Sequence, residues 1–141
     1  MKKILLSLLL VFALVFSTTA VCFAAVGDEE VVQPYATSSI NIGVDRVSGT
    51  KASTSTAANF ATTVDTYTVT VYLQKLSNNS WVNDTANEDY VTRVTGSNKS
   101  SIAFNKLYDD LTYGTSYRMK VVSKTTYAGT TYTKSAYSAT F

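Results

Sequence analysis

Histidine is absent from all 141 residues, and cysteine, proline and tryptophan occur once each, as Cys22, Pro34 and Trp81. Without an imidazole, no Ser–His or Cys–His nucleophile can be assembled, and zinc and similar metals lose their commonest ligands. One thiol cannot form an intramolecular disulfide. The six glycines are scattered and make no phosphate-cradling loop. Paired carboxylates are what remains for catalysis, and the candidates are Asp84, Glu88-Asp89 and Asp109-Asp110. Adjacent acids on a strand point to opposite faces, and all of these stand in turn-like stretches, so they read as solvated loop charges. No Asp-x-Asp spacing supports a calcium loop. The expectation is a non-enzyme with no cofactor and no metal site.

What is present begins with an export pattern. Lys2 and Lys3 precede an apolar run from Ile4 to Phe16, broken only by Ser7. Small residues follow: Ser17, Thr18, Thr19, Ala20, Ala24 and Ala25. That order of positive, apolar and small defines a helical signal peptide over 1–25, with cleavage near Ala24 or Ala25. The apolar run is 13 residues, short of the roughly 20 that a membrane span needs. An uncleaved anchor and lipidation at Cys22 are the rival readings. On the preferred one, the protein is secreted and touches a membrane only through the signal peptide, before cleavage.

The mature chain of 116 residues carries ten basic and ten acidic groups. Such a balance does not favour nucleic acid or anionic membranes as partners. Residues 26–39, with Asp28, Glu29, Glu30 and Pro34, read as a flexible leader. The domain is expected over 40–141. It has neither Cys nor His, so its hydrophobic core alone must hold it.

Ser and Thr supply 34 of those 116 residues and all ten Tyr fall in the mature chain. β-branched and aromatic residues suit a half-buried pleated surface, and the apolar period is two. Ile40, Ile42 and Val44 alternate with Asn41 and Gly43. Over 66–76, Tyr67, Val69, Val71 and Leu73 face one way while Thr66, Thr68, Thr70, Tyr72 and Gln74 face the other. Ser77-Asn78-Asn79-Ser80 is turn chemistry before a return strand at Trp81-Val82. Further strands are predicted at 50–59, 90–95, 100–104, 116–124 and 130–139, the last two joined by a turn at Ala128-Gly129. About seven short strands with turns between them predict an all-β, antiparallel two-sheet sandwich.

From residue 111 the chain reads Leu-Thr-Tyr-Gly-Thr-Ser-Tyr-Arg-Met-Lys-Val. Here it resembles a fibronectin type III domain, an immunoglobulin-like sandwich, over Ser101 to Phe141. The resemblance implies a tyrosine corner in which Leu111 plugs the core, Gly114 turns the chain and the Tyr117 hydroxyl bonds back to nearby backbone. The Trp that this family carries early has no counterpart, which leaves the strand order of the N-terminal half open. In size and in its Thr and Tyr richness, the chain is similar to small secreted proteins of Gram-positive bacteria.

Trp81, Tyr72, Tyr108, Tyr113, Tyr127, Tyr132 and Tyr137 exceed what so small a core can hold, so several are expected at the surface. Tyr and Trp combine apolar area with a polar tip and are favoured at interfaces. Trp81, Tyr108, Tyr113, Tyr127 and Tyr132, with the loops at 77–89 and 105–114, are the expected binding surface. The functional expectation is a secreted, non-catalytic binding or adhesion module whose partner is a cell-wall glycan, a host protein or the chain itself. The alternative is a structural, self-assembling extracellular protein.

Overall fold

Between Gly49 and Gly96 the chain contains neither glycine nor proline, so nothing there forces a strand to stop. In the computed structural model, which describes residues 37–141, Lys51–Ser77 of this stretch forms one continuous strand of 27 residues. The predicted signal peptide at 1–25 and the leader up to residue 36 lie outside the described residues. Six strands follow in order: β1 (Thr37–Ser48), β2 (Lys51–Ser77), β3 (Ser80–Asn83), β4 (Val91–Tyr108), β5 (Tyr117–Tyr127) and β6 (Thr130–Tyr137). All ladders are antiparallel.

Two pairs of expected short strands are therefore joined. The stretches 50–59 and 66–76 are the two ends of β2, and 90–95 and 100–104 are the two ends of β4. Instead of breaking, β2 bulges. Asn59 opposes Ser101, but the next partners are Val64 and Lys99, so residues 60–63 stand against Ser100 alone. Extra residues on one strand bend it and raise the local twist. Asn98 on β4, with φ of 53°, sits beside this bend.

Across the bulge β2 changes neighbours. Its first half lies between β1 and the second half of β4, and its second half between the first half of β4 and β5. Its buried side changes parity too. Ala52, Thr54, Thr56, Ala58 and Phe60 are buried before the bend, Val69, Val71 and Leu73 after it. The sheet thus curls until both halves cover one core with Tyr117, Met119 and Val121 of β5. Ile40, Ile42 and Val44 of β1 and Ile102 and Phe104 of β4 close its sides.

β1 begins three residues before Ile40. Thr37 is buried, and its hydroxyl shares a 2.7 Å hydrogen bond with that of Ser123 on β5. Two hairpins have two-residue turns with positive φ at both positions, Asn78-Asn79 (48°, 59°) and Ala128-Gly129 (48°, 79°). That geometry matches the right-handed twist of the flanking strands.

Candidate functional site

The residues expected at the corner stand between β4 and β5 and at the start of β5. Leu111 is buried, and its N–H donates to the Thr50 carbonyl at 3.0 Å. Gly114 has φ of 74°, a conformation that favours glycine. Tyr117 is 0% exposed, and its hydroxyl accepts from the Thr112 N–H at 3.0 Å. Its ring stacks on Phe141 at 6.2 Å, and the two residues exchange backbone hydrogen bonds.

Arg46 completes the corner, and the sequence reading missed it. Its guanidinium lies 5.6 Å from the Tyr117 ring centroid. Nε donates to Ser48 O, Nη1 to Thr115 O, and Nη2 to Gly49 O and, more weakly, Thr112 O. The signal was its position, because Arg46 continues the inward stripe of Ile40, Ile42 and Val44. An arginine in an apolar stripe demands acceptors, and these carbonyls supply them.

The expected aromatic surface needs two corrections. Tyr108 is 1% exposed and belongs to the core, not the surface. It extends the inward alternation of Ile102 and Phe104, because β4 runs on through the 105–108 stretch expected as loop. Burial pushes its phenol up to about 12, and the hydroxyl faces Thr92 without closing a well-formed hydrogen bond. Nor do the remaining four form one patch. Tyr113 is 81% exposed at the corner, beside Gly49. Tyr132 is half-buried opposite the buried Thr125, and Tyr127 stands at the end of the β5–β6 hairpin.

Trp81 has different company. Residues opposite one another in an antiparallel ladder share a face. The pairs Leu76–Trp81, Gln74–Arg118, Tyr72–Lys120 and Lys120–Tyr137 therefore place Trp81, Tyr72 and Tyr137 on the outer side of β2, β3, β5 and β6. The Arg118 guanidinium lies between two rings, 4.5 Å from the Trp81 centroid and 4.3 Å from that of Tyr137. Its Nε donates to Gln74 Oε1 at 2.9 Å, while Gln74 Nε2 donates to Asn83 Oδ1 at 3.1 Å. Tyr137 is 52% exposed while Trp81 and Arg118 are half-buried, so the stack is partly open to solvent. Tyr137 could have been found by alternation, but the approach of Trp81 to Arg118 across β2 depends on pairing.

The carboxylates lie elsewhere. Asp109 pairs with Lys51 at 2.9 Å, Asp89 with Lys106 at 2.9 Å, and the buried Asp84 with Lys75 at 2.8 Å. The hydrogen bond and charge of Asp84 hold the Lys75 amine above its ordinary range. Among the described residues, no group of three or more His, Cys, Asp or Glu is arranged to hold a metal ion.

These features define an all-β, sheet-rich domain with an aromatic and cationic outer face. No family model matches the chain, and neither the curated proteins nor the solved structures contain a significant match.

Proposed function

We propose that the protein is a secreted, non-catalytic binding or adhesion module that engages its partner through the outer face around Trp81, Arg118 and Tyr137. The carrying observation is the stack itself: two large aromatics hold a half-buried arginine on the outer side of the sheet. Arg and aromatic residues are the side chains most often central to interfaces. Export rests on the N-terminal pattern, with release after cleavage near Ala24 or Ala25. For the architecture, we favour a fibronectin type III-like sandwich in which β2 and β4 each serve both layers. Their change of neighbours at the bulge and the Tyr117–Thr112 bond support that reading. The absence of histidine supports a non-enzymatic role.

The test is cosedimentation of the mature protein with purified Gram-positive cell walls and with intact host cells. The double variant Trp81→Ala/Tyr137→Ala should lose at least about tenfold in affinity at an unchanged unfolding midpoint. Undiminished binding would remove this face from the function. Self-assembly is the second reading, and it has its own observation. Among the described residues, β1, β4 and β6 each pair on one side only, a pattern of edges able to accept a strand. A strict monomer at high concentration in sedimentation would count against it.

A further inference from the structure

The charges of the domain are not evenly spread. Lys51, Lys75 and Lys106 are neutralised in ion pairs at or near the loops. The outer face of β4–β2–β5–β6 instead gathers Arg93, Arg118, Lys120 and Lys124, whose ladder partners are Thr70, Gln74, Tyr72 and Thr68. The one acidic residue on these strands is Asp65, exposed near the β2 bulge, where its Oδ2 accepts from the Ala128 N–H, and none of the four cations has an ion pair among the described residues. Along β5, Arg118 and Lys120 are about 7 Å apart and Lys120 and Lys124 about 13 Å. That is a row of roughly 20 Å, with Arg93 two strands to its side.

Arg118 has the most specific geometry of the four. Its Nε is held by Gln74, and its plane is fixed between two rings. Nη1 and Nη2 have no acceptor among the described residues. A planar fork held in place with its terminal N–H groups unused is suited to a carboxylate, sulfate or phosphate.

We infer that this face binds a linear anionic polysaccharide, with Arg118 reading an anionic group and Lys120, Lys124 and Arg93 tracking the chain. The inference rests on the proposal that this face is the binding surface, and names its ligand class. Charge complementarity to four cations without ion pairs argues for a polyanion. The surroundings argue for sugar over nucleic acid. Trp81 and Tyr137 already give one ring face each to Arg118, whereas binding a single strand needs a series of open ring faces. The floor beside the cations carries the hydroxyls of Thr68, Thr95, Thr133 and Ser135, together with Tyr72, Val91 and Val122.

The probes are dextran sulfate, polygalacturonate, neutral dextran and an oligo-dT strand, measured by calorimetry on the mature protein. Dextran sulfate and polygalacturonate should bind, neutral dextran should not, and affinity should fall as salt rises. Lys120→Gln/Lys124→Gln should weaken binding by about tenfold or more. Arg118→Lys, which keeps the charge and removes the fork, should weaken it by about fivefold. Lys51→Gln/Lys134→Gln removes the same charge away from the face and should leave affinity unchanged. The inference is overturned if that control pair costs as much as the face pair, if neither anionic glycan binds, or if oligo-dT binds as tightly as both. Binding to walls or cells that needs Trp81 but survives with no affinity for anionic glycans would sink the ligand class and spare the module.

Discussion

Arg46 lies over Tyr117 and donates from Nε, Nη1 and Nη2 to backbone carbonyls, whereas Arg118 lies between Trp81 and Tyr137 and donates from Nε alone, to Gln74. Both are arginines against aromatic rings on strands of one sheet. The difference is where the acceptors are. Arg46 has the carbonyls of Ser48, Gly49, Thr112 and Thr115 within reach, so it ties the β1–β2 hairpin to the corner loop. Arg118 has ring faces, which orient a guanidinium without consuming its N–H groups. The contrast teaches that the number of unused donors separates a structural arginine from one available to a partner.

The largest expected effect comes from removing each arginine in turn. Arg46→Ala leaves several carbonyls without donors and should cost about 3 kcal/mol in urea unfolding. Arg118→Ala should cost about 1 kcal/mol or less, because the stack is partly open to solvent. Equal losses from the two substitutions would break the comparison.

A second effect tests the buried side of the molecule through pH. Burial raises the Tyr108 phenol from 10 to about 12, so the folded chain holds this proton more tightly than the unfolded chain does. Its contribution is whole below pH 10 and is lost as pH climbs through 12, to a total of about 2–3 kcal/mol. Urea midpoints measured from pH 9 to 12 should fall less steeply for Tyr108→Phe than for the native chain. Parallel curves would mean that Tyr108 is reached by water.

The smallest effect compares the two hairpins. At Asn78-Asn79 both residues tolerate positive φ, whereas Ala128 holds φ of 48° with a methyl group that disfavours it. Its N–H is secured by Asp65 Oδ2 at 2.8 Å. Ala128→Asn should therefore raise stability by about 0.5–1 kcal/mol, read as a higher thermal midpoint. No gain would show that the Asp65 bond already offsets the strain.

Much of this was legible in local chemistry. Alternation over 66–76 assigns the correct residues to the core, and Asn78-Asn79 and Ala128-Gly129 mark the turns that form. Leu111 and Tyr117 of that spacing are both buried, and Gly114 between them has positive φ. Less legible was the continuity of β2 and β4. Residues 60–65 carry no breaker, yet polar Thr62, Thr63 and Asp65 resemble a loop. Ending a strand at Phe104 hid Tyr108, although the alternation runs on to it. Arg46 shares the spacing of the β1 stripe, but two of its acceptors, Thr112 O and Thr115 O, lie far along the chain, where no local pattern reports them.

The sequence by itself determined that no imidazole is available, the β class, the turns at Asn78-Asn79 and Ala128-Gly129, and which residues of 66–76 share a side. Those depend on composition and on a period of two, which are local. Tertiary structure alone decided that β2 serves two sets of neighbours, that Tyr108 lies inside, and that Trp81 and Tyr137 meet across Arg118. Each of these depends on which strands pair, and pairing is set by the joint burial of residues far apart in the chain, which no local pattern records.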